Sequence, residues 1–406
     1  MNAWRRTSPT ARVLLLTVLL TGLTTFMFLP LLAIELSGKG LPTARVGFLV
    51  GLLSFCSQSF SLVSGVIVDR FRARSVLGCA FALRIAGYLL LGLGLAGGTR
   101  LPLLVAGIVG VGVGGSLLGL SIKTRLVRES SDQPREMLAL RATFVNVGVV
   151  AGPALGALVF PLGFPWILTA CVCSHLVLGL VLTTRAPQPG PAAAVPVPEG
   201  AAGADGADGA DRPAAEPPWP RRRWLLLFAV GTAYWMLYSQ LNVVMPIAAK
   251  RLTGTTEAIS VVFTVNGLLC VLLQYSLLRH VFARATSRTL LVLGFLAFAA
   301  AYALLLPLTG WAALLVYVVP VTLAEMLISP SLDEQTVRAT SLRRTGRALG
   351  AMSLAGALGS LLGSSGGGYL LQALHGGGAM WVVVSSLAVT AAAVCFLLPK
   401  GAPSHA

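Results

Sequence analysis

From Val13 to Ile34 the chain carries no charged side chain, and a run of that length restricts the fold more than any other feature. A helix rises about 1.5 Å per residue, so roughly 20 apolar residues cross a hydrocarbon layer about 30 Å thick. The first such stretch covers about 11–36. Eleven more follow, near 44–68, 75–97, 101–122, 137–161, 163–184, 224–249, 257–278, 288–308, 310–331, 345–371 and 378–398. The runs are continuous rather than alternating, which argues for helices and against a β-barrel. Of the 406 residues, 56% are hydrophobic and 11% charged, against roughly 25% charged in soluble domains. A water-soluble fold does not hide that much apolar surface. The first stretch is too long for a signal-peptide core, and Gly38 to Arg45 offers no convincing cleavage site, so it reads as a retained helix.

A net charge of +16 raises the prospect of a nucleic-acid partner. Its distribution points elsewhere, because Lys and Arg concentrate in the cytoplasmic loops of membrane proteins. With the N-terminus inside, the cytoplasmic segments hold 24 Lys and Arg, and the outer loops hold only Lys39, Arg45, Arg100, Lys250 and Arg251. Arg84 alone lies mid-span. This alternation predicts twelve spans, both termini in the cytoplasm, a plasma (inner) membrane location and no nucleic acid. Six cysteines lie inside spans and four histidines are scattered, without metal-ligand spacing. Gly112-Val113-Gly114-Gly115 lacks the Lys-Ser/Thr of a phosphate loop, and no Ser-His-Asp cluster or dinucleotide fingerprint is present. No enzyme, metal, cofactor or ATP drive is expected.

Residues 187–220 interrupt the pattern with Pro, Ala, Gly and the repeats Gly203-Ala204-Asp205, Gly206-Ala207-Asp208 and Gly209-Ala210-Asp211. Such a segment buries no core and is expected to be disordered. It divides the chain into a six-helix unit at 1–184, a cytoplasmic linker at 185–223 and a second six-helix unit at 224–406. The halves share spacing. Pro30 and Gly51 match Pro246 and Gly267 at an offset of 216, and Gly148, Gly152 and Gly156 match Gly359, Gly363 and Gly367 at an offset of 211. Glycines, 45 in all, let helix backbones approach closely. The expectation is an all-α polytopic membrane protein of two pseudo-symmetric six-helix bundles, the internal symmetry of secondary transporters, with a site at the midplane between the bundles.

Between spans two and three stands Gly65-Val-Ile-Val-Asp69-Arg70-Phe-Arg72-Ala-Arg74. It resembles the G-x-x-x-D-R-x-G-R-[RK] loop of the major facilitator superfamily at Gly65, Asp69, Arg70 and Arg74, and departs from it at Arg72 and Ala73. Span five carries Gly148-x3-Gly152-Pro153-x2-Gly156-Ala157, similar to the antiporter motif of drug-exporting members except for Ala157. The resemblance implies the major facilitator fold, a cytoplasmic latch at Gly65, Asp69, Arg70 and Arg74, and an exporter signature at Gly148, Gly152, Pro153 and Gly156. A third family motif places an arginine in span four before a small-residue run. The run exists here, but Ile108 occupies the arginine position.

Charged groups inside a bilayer are costly and mark function. Glu325 lies mid-span with no partner in its own helix, and is the candidate for loading and releasing a proton. The alternative is a structural ion pair with an arginine on another helix. Arg84 is a candidate partner for an acid, Glu35 or Glu325, or else a side chain that snorkels toward the interface. Glu35, near the outer end of span one, is a further relay candidate or an interfacial charge. Arg141 opens span five and reads as a cytoplasmic anchor. In span seven Tyr234, Tyr238 and Asn242 recur every four residues and so share one face, with Trp235 alongside. They are cavity candidates, as are Gln58, Asn146, Asn266 and Gln274.

The sum is a secondary transporter working by alternating access, exporting small drug-like or hydrophobic molecules, with protons as the coupling ion, lipid as surroundings and a monomer as the working unit. The first rival is nutrient uptake. A membrane transferase needs clustered acids such as D-x-x-x-D, which no span carries, and a scaffold or sensor would be expected to bear a soluble domain.

Overall fold

The computed structural model describes residues 7–129, 134–184, 221–255, 257–282, 284–339, 345–375 and 378–398. The linker expected at 185–223 lies outside the described residues up to 220. Helix α1 runs Pro9–Gly38, α2 Thr43–Ser59, α3 Ser61–Arg70, α4 Ala73–Leu95, α5 Leu101–Glu129, α6 Pro134–Val159 and α7 Phe164–Thr184. In the second half α8 runs Arg221–Tyr238, α9 Val244–Thr253, α10 Glu257–Ser276, α11 Ser287–Ala303, α12 Gly310–Arg338, α13 Thr345–Ala373 and α14 Gly378–Cys395. Among the described residues, eight spans are long and apolar enough to cross a membrane by themselves, one of them the joined α8 and α9. Two shorter apolar helices, Glu257–Leu273 and Ser287–Ala303, the joined α2 and α3, and the glycine-rich α13 complete twelve.

Local chemistry sets the ends. Ser8 caps α1 by accepting from the Ala11 amide at 3.1 Å, with Pro9 at the first helical position, where its missing N–H costs nothing. Thr286 caps α11 in the same way from Thr289. Gly254 closes α9 in the left-handed region, at φ 75°, which a side chain resists. Span seven is not one helix: a 3-10 turn at Ser239–Leu241 separates α8 from α9.

The glycine spacing becomes packing. On α6, a Cβ at Gly148 would meet the Gly22 backbone at 2.9 Å, and at Gly152 the Phe26 Cβ at 2.8 Å. At Gly156 it would meet the Leu31 side chain at 2.8 Å. The stripe therefore seats α6 on α1. At the matched positions of α13, a Cβ at Gly359 would strike Thr232 and Trp235, at Gly363 Met236 and Ser239, and at Gly367 Gln240 and Val244. That stripe seats α13 on the span-seven helices, as a duplicated half requires. The second offset behaves alike: Gly51 packs on Leu361 of α13, and Gly267 on Val150 of α6. Each half is thus a six-helix bundle, and the bundles meet through α2 with α13 and α6 with α10.

Among the described residues, hydrogen bonds along these seams lie at mid-span or away from the chain's N-terminal end. Thr43 Oγ1 donates to the Gly368 carbonyl at 3.0 Å, and the Ala44 amide to Gln372 Oε1 at 3.2 Å. Gln58 Nε2 donates to Ser360 Oγ at 3.1 Å near mid-span. On the opposite seam Ser260 Oγ donates to the Pro153 carbonyl at 2.8 Å. The end holding the α1–α2 connection is therefore closed by direct contact between bundles.

Candidate functional site

In the first bundle, Arg84 leaves α4 and passes α5 at Gly114 and Gly115. A Cβ at Gly114 would lie 2.8 Å from Arg84 Cγ, and one at Gly115 3.1 Å from its Nη1, so these glycines make the passage. The side chain is only 6% exposed. Its Nη2 donates to Thr25 Oγ1 at 2.9 Å and to the Tyr88 hydroxyl at 2.7 Å. Neither Glu35 nor Glu325 reaches it. Glu35 instead faces Lys39, one turn along α1, at 4.0 Å. The expected pairing of Arg84 with either acid is therefore corrected, and the physical reason is placement: Glu35 sits at the far end of α1 and Glu325 in the other bundle.

Arg84 lines a hollow of about 140 Å³ together with Thr21, Thr25, Gly115, Arg141 and Val145. Arg141, which the sequence offers as a cytoplasmic anchor, lines the same hollow as Arg84. A signal existed, since 141, 145, 148, 152 and 156 follow the i, i+4, i+7 rhythm of one helix face. Arg141 thus extends the glycine stripe that meets α1.

In the second bundle, Glu325 of α12 is half-buried. Tyr238 donates its hydroxyl to Oε1 at 3.3 Å, and Asn266 of α10 donates Nδ2 to Oε2 at 3.1 Å and to Thr322 Oγ1 at 3.0 Å. No cation joins Glu325 among the described residues. Tyr234, Trp235 and Tyr238 form a ring cluster with centroids 5.4 to 5.8 Å apart. Hydrogen bonds to charged groups contribute about 1.5–3 kcal/mol. Asn266→Leu leaves the carboxylate with Tyr238 alone and is expected to lower stability by roughly that amount, read as the chemical denaturation midpoint of the detergent-solubilised protein. An unchanged midpoint would show that the bond carries no weight.

The remaining sequence candidates scatter. Asn242 follows the 3-10 turn, so the four-residue rhythm linking it to Tyr234 and Tyr238 is broken. Gln58 spans the α2–α13 seam through Ser360. Asn146 is exposed on α6, one turn from Val150, which meets Gly267. Arg70 and Arg74 are exposed around the α3–α4 connection, and Ile108 is buried in the core. The side chains of Asp69 and Gln274, and the surroundings of Gly65, lie outside the described residues. A larger hollow of about 600 Å³ lies on the α6–α10 seam, lined by Leu158, Pro161, Glu257 and Ser260 among others. Neither Arg84 nor Glu325 lines it.

A family model described as Major Facilitator Superfamily matches residues 14–364. A protein of Aeromonas salmonicida named multidrug resistance protein MdtH is 23% identical over 378 residues, covering 90% of this chain and 89% of that one. An MdtH from Yersinia enterocolitica is 22% identical, covering 88% and 85%. Among solved structures, a peptide transporter POT in complex with sulfate superposes with TM-score 0.76 at 13% identity, covering 95% of this chain and 93% of that one. The nucleoside transporter NupG gives 0.75 at 14%, covering 97% and 100%. At such identities the superpositions establish the shared fold.

Proposed function

This chain belongs to the Major Facilitator Superfamily, and on that premise we propose that it exports small, drug-like or hydrophobic molecules across the plasma membrane in exchange for protons, with both termini in the cytoplasm. The observation that carries the proposal is Glu325, a carboxylate within a spanning helix whose described partners, Tyr238 and Asn266, are neutral. A carboxylate so placed exchanges a proton without breaking an ion pair. Three further features support export: the Gly148-Gly152-Pro153-Gly156 stripe, the multidrug resistance names of the relatives, and the sparse set of polar groups along the spans. Positive charge at the N-terminal end supports an outer position for the closed end, and with it a conformation that faces the cytoplasm. In the outward-facing state, Gly65, Asp69, Arg70 and Arg74 would latch the cytoplasmic ends of the bundles. One charge falling through ~100 mV releases about 2.3 kcal/mol, enough for a concentration ratio of roughly fiftyfold.

The test is proton flux in energised inverted vesicles, read by a pH-gradient dye while hydrophobic cations, antibiotics and sugars are added in turn. A hydrophobic compound is expected to collapse the gradient with the native protein and to have no effect with Glu325→Gln. If no compound moves the gradient while one of them still binds, proton antiport is wrong for that ligand. An undiminished response with Glu325→Gln would remove Glu325 from the coupling path.

A further inference from the structure

We propose that Arg84 and Arg141 form an anion-recognition site in the hollow between α1, α4, α5 and α6 of the first bundle, and that molecules carried by this protein present a carboxylate, phosphate or sulfonate group to it. The inference rests on the proposed transport function, since it takes the hollow as part of the substrate path. Two guanidinium groups line one hollow of about 140 Å³, and none of its lining residues is acidic. Buried cations are ordinarily paired. Here the hydrogen-bond partners of Arg84 are two neutral hydroxyls, both on Nη2, and its guanidinium carbon lies 5.7 Å from the centroid of the Tyr88 ring. The Nε atoms of Arg84 and of Arg141 are buried without a hydrogen-bond partner. A guanidinium has five N–H donors in a planar fork, so most of the donor capacity at this wall is unspent.

A purely structural role for Arg84 accounts for its bonds to Thr25 and Tyr88. It does not account for a second arginine on the same hollow, since like charges repel and no acidic side chain stands between them among the described residues. An oxyanion resolves both observations: it offsets the repulsion and accepts from forks on two sides. The volume suits such a group, being that of about four or five waters at ~30 Å³ each, and is too small for a whole drug-sized molecule. Glu325, held by Tyr238 and Asn266 in the other bundle, leaves the arginines free to take their counter-charge from the cargo.

Inorganic sulfate, fully ionised at ordinary pH, is the probe. The full-length protein in phosphatidylcholine nanodiscs is titrated with radiolabelled sulfate at constant ionic strength. Saturable binding is expected, weakened about tenfold or more by Arg84→Gln and by Arg141→Gln. Arg84→Lys, which keeps the charge and loses the fork, is expected to weaken it by a smaller factor. Arg141→Gln removes the more accessible arginine and so serves even where Arg84→Gln fails to fold. No saturable binding, or equal binding by wild type and Arg141→Gln, overturns the site. A second arm replaces the lipid with phosphatidylglycerol. Unchanged sulfate affinity supports a site for soluble cargo, whereas loss of sulfate binding assigns the site to a lipid headgroup and overturns the cargo role. The readout is binding alone, so failure of proton antiport would leave it standing.

Discussion

Gly363→Val is expected to destabilise the protein by about 3 kcal/mol or more, while Gly366→Val, three residues along the same helix, is expected to leave stability nearly unchanged. A Cβ at Gly363 overlaps the Met236 carbonyl and Cα and the Ser239 hydroxyl, whereas one at Gly366 meets nothing within 4 Å. The obstacle at Gly363 is backbone, which gives far less readily than the end of a flexible side chain. The same stretch also holds a cross-helix bond, since Gln240 Nε2 donates to the Gly363 carbonyl at 2.8 Å. Pushing α13 off α8 stretches that bond and leaves polar groups unpaired in a low-dielectric setting, where each is costly. The check is the fraction of full-length protein that stays monodisperse in detergent after a heating series. Equal losses for the two variants would mean that the α13–α8 seam tolerates separation, and that the glycine stripe is compositional rather than structural.

That contrast also marks what the sequence made legible. The offset of 211 linked Gly148, Gly152 and Gly156 to Gly359, Gly363 and Gly367 before any partner helix was known, and both stripes face the corresponding first helix of their bundle. Span limits were legible for the same reason: the bilayer imposes a length, and apolar runs display it. Partners were not. The azimuth of each helix decides whether a polar residue meets a cavity, a seam or lipid, and one residue in 3.6-fold periodicity shifts that by about 100°. Gln58 turned to the α13 seam. Arg84 crossed α5 through Gly114 and Gly115 and met Thr25 and Tyr88, hydroxyls with no distinguishing signature in an apolar sequence. The break at Ser239 carried Asn242 out of register with Tyr238, and the stretch from Thr232 to Tyr238 holds neither Pro nor Gly to announce it. Arg141 lay in the rhythm of the stripe, yet its position near a predicted cytoplasmic end outweighed that rhythm.

Bridging cysteines at positions 44 and 372 is expected to reduce transport to less than about a tenth of the uncrosslinked rate, if the bundles alternate as proposed. Ala44 begins α2 and Gln372 ends α13, and the Ala44 amide donates to Gln372 Oε1 at 3.2 Å. One turn away Thr43 is bonded to Gly368, and Gly47 abuts Ser364. This patch closes the far end of the central seam, so the opposite-facing state requires it to part. A short bis-maleimide link across Ala44→Cys and Gln372→Cys, in a background lacking the native cysteines, holds it shut while leaving each bundle intact. The matched control bridges Ser8→Cys and Glu129→Cys, whose native side chains lie 3.4 Å apart within the first bundle. Rocking moves that bundle as a body, so the control link is expected to leave transport largely unaffected. Transport is followed as dye accumulation in inverted vesicles, with the extent of bridging read by mass spectrometry. If fully bridged 44–372 protein transports at the control rate, the contact never opens during the cycle, and cargo must pass without separation of α2 from α13. If both links stop transport, motion within the first bundle is part of the cycle, and the rigid-bundle account of alternation fails while the position of the closed end stands.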